Sequence, residues 1–231
     1  NSLREISAIA KEYGVILHSD TVQTVGKIRV NVDELGLDLL ATSAHKFYGP
    51  KGIGAIYIRK GTSIDALIQG GSQESNRRAG TENVPLAAGF AKAAELCDAS
   101  MELEAERIQK LRAKLRGRLE GEFEGVLFNG HPTESLPHIL SVSFDSSRTP
   151  LDGEALIMGM DLQGVAVTSG SACTSGSLEP SHVLLAMGRD VPTARATVRF
   201  SLGRWTTEEE VNFAVDALHQ VVSRMQKSAS M

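Results

Sequence analysis

Two residues of this chain are of a type, and in a setting, that suits covalent chemistry. Cys173 lies in "TSGSACTSGSLEP", residues 168–180, with almost nothing apolar around it. A cysteine that serves packing is normally buried and inert, whereas a thiol in a polar, solvent-reachable loop is a liability unless its reactivity is used. Lys46 lies in "SAHKFYGPKG", between the end of an apolar run and a Gly/Pro-rich turn. A lysine there is either an ordinary surface cation or an amine held ready to condense with an aldehyde or a carbonyl. Asp20 follows the short apolar run "VILH", about where a carboxylate meets a cationic ring nitrogen. Pyridoxal phosphate needs both groups, an amine for its aldehyde and an acid to keep its pyridinium protonated. Ser43 and His45 add groups of the kind that hold a phosphate.

The elements that position these residues follow from periodicity. "LREISAIAKEY" (3–13) places Leu3, Ile6, Ile9 and Ala10 on one helical face, with Gly14 as its C-cap. Strands are expected at 15–18 ("VILH"), 37–42 and 52–60 ("GIGAIYIRK"). Helix, strand, loop, strand, loop, strand reads as part of a mainly parallel α/β sheet, in which ligands bind beyond the carboxyl ends of the strands. Asp20, Gln23, Ser43, His45 and Lys46 all fall there. "GGSQESNRRAGTENVP" (70–85) is a long polar loop, and from Pro85 a helical pattern runs to Leu119 with an expected break near Asp98–Ser100. Strands are expected near 126–128, 138–144, 164–167 and 196–201, and a helix at 152–161. A last helix opens at Thr206 or Thr207 with a capping box and an apolar face of Val211, Ala214, Val215, Leu218 and Val222.

The totals are those of an ordinary globular protein: 231 residues, 42% hydrophobic and 23% charged, with a net charge of −4. No basic stripe suggests a nucleic-acid partner, and no apolar run approaches the roughly 18 residues of a membrane helix. Cys97 and Cys173 are the only cysteines, in unlike surroundings and without CxxC spacing. We therefore expect neither disulfides nor a metal site, and a reducing cytoplasm. Cys97 shares a helical stripe with Leu96 and Met101 and reads as packing. Arg77 and Arg78 suit either a solvated face or the border of a phosphate site.

Five segments, "HSDTVQTVGK", "SAHKFYGPKGIGAIY", "GGSQESNRRAGTENVP", "SGSACTSGSLEPSHVL" and "TVRFSLGR", together resemble the cysteine desulfurases of the NifS/IscS type. These are pyridoxal-phosphate enzymes with the aspartate aminotransferase fold (type I). The resemblance implies that Lys46 carries the cofactor and moves protons at the substrate α-carbon, and that Asp20 pairs with the pyridine nitrogen. It implies that Gln23 bonds the cofactor's phenolic oxygen, and that Ser43 and His45 hold the phosphate, helped by Thr81 from the other subunit of a homodimer. Arg199 would bind the α-carboxylate of L-cysteine, a task suited to its planar fork. Cys173 would take the sulfur as a persulfide, release alanine, and deliver the sulfur to an iron–sulfur scaffold or another acceptor protein. A thiol serving both a buried cofactor and an outside partner needs a flexible tether, which Gly170, Gly176 and the neighbouring serines supply.

The chain starts at Asn1, without Met and at a helix, so we expect part of the parent protein to precede it. By the resemblance, residues 1–96 are the C-terminal part of the large cofactor domain, and 97–231 form a small α+β domain. Two rivals stand beside this reading: a selenocysteine lyase, and a non-catalytic fragment or split half that binds a partner chain or a sulfur acceptor.

Overall fold

The computed structural model describes residues 2–169 and 179–229, which divide into two compact units, Asn1–Leu103 and Glu104–Met231. In the first unit, α1 (Leu3–Glu12) ends at Tyr13 and Gly14, the latter at φ +63° as an αL cap requires. The expected strand at 15–18 begins later, as β1 (His18–Asp20). Residues 15–17 are used differently: Val15 N–H closes the helix end on Ala10, and Leu17 N–H donates to the Asp38 carboxylate at 2.9 Å. β2 (Leu39–Ser43) pairs parallel to β1, and β3 (Gly54–Ile58) pairs antiparallel to β2. The α/β class holds, but this part of the sheet is mixed rather than mainly parallel. The reason is the short turn between β2 and β3, which returns the chain directly, whereas a parallel pairing needs a longer crossover.

The expected helix beyond Pro85 is α3 (Val84–Glu122), 39 residues long and unbroken at 98–100. Ser100 Oγ returns its hydrogen bond to the Leu96 carbonyl at 3.0 Å, so the polar residue stays within the helix. Pairs such as Lys110–Glu106 (2.7 Å) and Arg118–Glu122 (2.7 Å) support the exposed face, each by about 0.2–0.5 kcal/mol.

In the second unit β4 (Val126–Asn129), β5 (Ile139–Phe144) and β6 (Thr197–Ser201) form an antiparallel sheet in the order β4-β5-β6. Alternation sends Val142, Phe144, Val198 and Phe200 into a core with Leu119 of α3, Leu156 and Met160 of the next helix, and Val215 and Leu218 of the last. Each such side chain contributes roughly 1.5–3 kcal/mol on burial. That next helix, α4 (Gly153–Leu162), is capped by Asp152, whose carboxylate accepts from Ala155 N–H at 2.8 Å. No strand forms at 164–167: Val165 N–H bonds back to Met160, and only Thr168 reaches β6, as an isolated bridge to Arg199. Three further helices follow the sequence: α5 (His182–Ala186), α6 (Val191–Arg195) and α7 (Glu208–Ala229). The capping box opens at Thr207, whose Oγ1 accepts from Glu210 N–H (3.2 Å) while Glu210 accepts from Thr207 N–H (3.0 Å). One short element of the first unit lies within the 70–85 loop: a single turn, α2 (Gln73–Asn76), whose Glu74 and Ser75 depart from right-handed helical geometry. Among the described residues no helix is long and apolar enough to cross a membrane.

Candidate active site

The first unit gathers most of the expected site at one sheet end. Asp20 is the last residue of β1 and Ser43 the last of β2, and the parallel register sets Asp20 beside Ala41. Thr21 fastens this end, since its N–H and its Oγ1 both donate to the Ala41 carbonyl, at 2.9 and 2.8 Å. Asp20 Oδ1 accepts from Val22 N–H at 2.9 Å, an Asx turn that starts the loop carrying Gln23. The carboxylate is exposed, and Gln23 is exposed beside it in sequence.

Lys46 owes its position to a periodicity of three. After Ser43 the chain makes one turn of 3₁₀-helix, Ala44–Phe47, in which residues i and i+3 eclipse. Ala44 and Phe47 are fully buried against Ala93 and Cys97 of α3, and Phe47 meets Phe90 edge-on at 5.2 Å between ring centroids. His45 and Lys46, between the two anchors, are therefore turned outward and exposed. Cys97 Sγ donates to the Phe47 carbonyl at 3.3 Å, and Tyr48 leaves the turn at φ +69°. His45 Nδ1 lies 2.8 Å from Ser43 Oγ. Lys46 makes no hydrogen bond or ion pair among the described residues, and its side chain is exposed.

Thr81 sits on the same unit, exposed, in the loop after α2, and has no hydrogen bond to the other five positions. That loop has unusual backbone geometry. Glu74, Ser75 and Asn76 stand in succession at φ +48°, +56° and +63°, a left-handed turn that costs about 1–2 kcal/mol per residue. Gln73 Oε1 ties the loop by accepting from Gly80 N–H at 3.2 Å. Arg77 and Arg78 follow the turn and are exposed.

Arg199 belongs to the second unit, on β6, half-buried on the face opposite the core. Arg107 of α3 secures the loop after this strand, donating to the carbonyls of Gly203 (3.2 Å), Arg204 (2.6 Å) and Thr206 (2.8 Å). Cys173 lies outside the described residues. Cys97 is 2% exposed, as its helical stripe suggested; its bond to Phe47 has no signature in local spacing.

The donor set suits pyridoxal phosphate. An acceptor-only carboxylate at Asp20 complements a cationic ring nitrogen, the unpaired amine of Lys46 suits an aldehyde, and the hydroxyl–imidazole pair of Ser43 and His45 suits a phosphate.

Comparison with known proteins agrees with this chemistry. The family profile "Aminotransferase class-V" matches residues 1–213. The cysteine desulfurase IscS of Dictyoglomus turgidum is 49% identical over 223 residues, 96% of this chain and 56% of the relative. The solved structure of a NifS-like protein from Rickettsia africae ESF-5 superposes with a TM-score of 0.86 at 31% identity, covering 96% of this chain and 57% of the other. A structure of SspA in complex with cysteine gives a TM-score of 0.66 at 30% identity over 89% of this chain and 55% of the other. The chain spans about half the length of the relatives it matches.

Proposed function

The chain belongs to the class-V aminotransferase family, and we propose that the protein it comes from is a cysteine desulfurase dependent on pyridoxal phosphate. It converts L-cysteine to L-alanine and passes the sulfur, held as a persulfide on Cys173, to an acceptor protein for iron–sulfur cluster assembly or tRNA thiolation. Residues 1–96 act as the C-terminal part of the cofactor domain and 97–231 as the small domain. The enzyme works as a cytoplasmic homodimer, a compartment in keeping with two unlike cysteines and no disulfide pattern. One observation carries the reading: an unpaired lysine, a strand-end carboxylate and a Ser–His pair at one sheet end of a class-V chain.

When bound, pyridoxal phosphate supplies an electron sink for negative charge developing at the substrate α-carbon. Asp20 holds a proton on the ring nitrogen, and Gln23 donates to the phenolic oxygen. Ser43 and His45 hold the phosphate, with Thr81 of the partner subunit assisting. Lys46 carries the cofactor before substrate arrives and then moves protons at the α-carbon. Arg199 binds the substrate carboxylate as a bidentate fork. The Cys173 thiolate forms an S–S bond to the substrate sulfur as the Cβ–S bond breaks. The electron pair of that bond stays with carbon, which takes up a proton and leaves as alanine.

The test is the visible absorption of the complete protein with pyridoxal phosphate, before and after borohydride, followed by mass spectrometry. A band trapped on Lys46, then alanine release and a persulfide on Cys173 after cysteine is added, is the expected result. No trapped band removes the enzyme reading and leaves a partner-binding protein. A preference for selenocysteine in alanine release identifies the lyase instead.

A further inference from the structure

Thr168 and Arg199 form an antiparallel bridge and exchange two backbone hydrogen bonds, Arg199 N–H to the Thr168 carbonyl at 2.7 Å and Thr168 N–H to the Arg199 carbonyl at 3.3 Å. Residues directly opposite each other in such a bridge project their side chains from the same face. That face is the polar one, because Val198 and Phe200 on either side of Arg199 point into the core. Across β5 the same row continues with Ser141, the register partner of Arg199, and with Asn129 beyond it. Asn129 is committed: it donates to Ser141 Oγ (3.2 Å) and Ser143 Oγ (2.8 Å) and accepts from Arg189 Nε (3.0 Å).

The other end of the row is not committed. Arg199 Nε and Thr168 Oγ1 are both buried, and neither has a hydrogen-bond partner. Buried polar groups in this condition call for an explanation. They do not satisfy one another, and no carboxylate among the described residues pairs with Arg199. Arginine is a donor only, so whatever completes Arg199 is an acceptor, and a hydroxyl beside it can donate to the same group. A carboxylate, with two oxygens and no donor, meets both requirements.

We infer that Thr168 is a second ligand of the substrate α-carboxylate, its hydroxyl donating to the anion that Arg199 clamps. The inference rests on the desulfurase reading, which gives Arg199 its carboxylate. Thr168 then makes the site select for amino acids over amines that lack the carboxylate.

The experiment is calorimetric titration of the complete, cofactor-loaded protein with L-alanine and, separately, with cysteamine. Neither measurement requires turnover. Thr168→Val removes the hydroxyl while keeping the branched shape, Thr168→Ala guards against a packing artefact, and Thr168→Ser retains the donor. A hydrogen bond to a charged group predicts that alanine binding weakens about tenfold or more in Thr168→Val and Thr168→Ala. It also predicts recovery in Thr168→Ser and unchanged cysteamine binding in all three. Equal weakening of alanine and cysteamine overturns the inference in favour of a structural role. Unchanged alanine affinity overturns it in favour of water as the hidden partner. A wild-type protein that binds no amino acid overturns the desulfurase reading itself, and this inference with it.

Discussion

Cys97 Sγ lies 3.3 Å from the carbonyl oxygen of Phe47 and donates to it from the middle of α3. The contact closes the turn whose preceding residue is Lys46, so a buried cysteine supports the placement of the Lys46 amine. Replacing Cys97 with Ala removes this donor and opens a small void beside Ala44, Phe47 and Ala93. We expect a loss of about 1–2 kcal/mol in chemical denaturation. Thiol labelling with peptide mapping should find Cys97 protected in the native protein and modified only after unfolding.

Gly26 approaches the same turn from the other side. Its φ is +74°, and a Cβ there would stand 2.6 Å from Phe47 Cβ and 3.3 Å from Cys97 Cβ. Those atoms are close to the backbone and cannot swing away. Gly26→Ala therefore costs about 2–4 kcal/mol, from the left-handed conformation and overpacking together. The melting temperature reports the cost, and the cofactor absorption band reports displacement of Lys46.

Lys46→Ala is the converse case. The side chain is exposed and unpaired, while the neighbours that hold the turn are buried. Stability should change by no more than about 0.5 kcal/mol. Trapping of the cofactor by borohydride should vanish. A large drop in melting temperature would show that the amine has a structural partner.

Asp190 caps α6, accepting from Thr193 N–H at 2.8 Å and from Ser146 Oγ at 3.1 Å. Hydrogen bonding from Thr193 first, and less from Ser146, holds its carboxylate below the ordinary range. A folded-state pKa that is lowered gives stability that is present above the unfolded value and lost as pH falls through the folded one. Wild type should therefore exceed Asp190→Ala in urea midpoint at neutral pH, with the gap closing as the pH falls below the ordinary carboxylate range. A gap independent of pH would show that the carboxylate's charge plays no part.

Periodicity made the helices legible. α1 and α7 announce themselves by apolar spacing and by Gly14 and Thr207 at their ends, whereas the Asp152 cap of α4 shows only in the structure. Two strand expectations gave way to long-range bonds: residues 15–17 are drawn to Ala10 and Asp38, and Val165 to Met160. The expected break in α3 is absent because Ser100 satisfies its hydroxyl inside the helix. Lys46, Asp20, Ser43 and His45 were visible in sequence because a polar residue after an apolar run marks a strand end. The Cys97 bond, the Arg107 clamp and the Thr168–Arg199 bridge join residues far apart in the chain, and no local spacing encodes them. The left-handed turn at Glu74–Asn76 has no glycine to signal it.

The segment from Leu39 to Ile58, strand, turn and returning strand, is one contiguous hairpin with Lys46 in its connection. Asp20 joins this sheet only through a parallel pairing that must first close the chain from His18 round to Leu39. Closing the longer loop costs more entropy and comes later. The two parts of this sheet end therefore assemble in sequence, hairpin before parallel pair, and pulsed hydrogen exchange should protect the amides of 54–58 before the parallel-pair amides at Leu39 and Thr21. Until the second step is complete, Lys46 stands without Asp20 at its sheet end, and any ligand that needs both residues waits on the parallel closure of β1 onto β2.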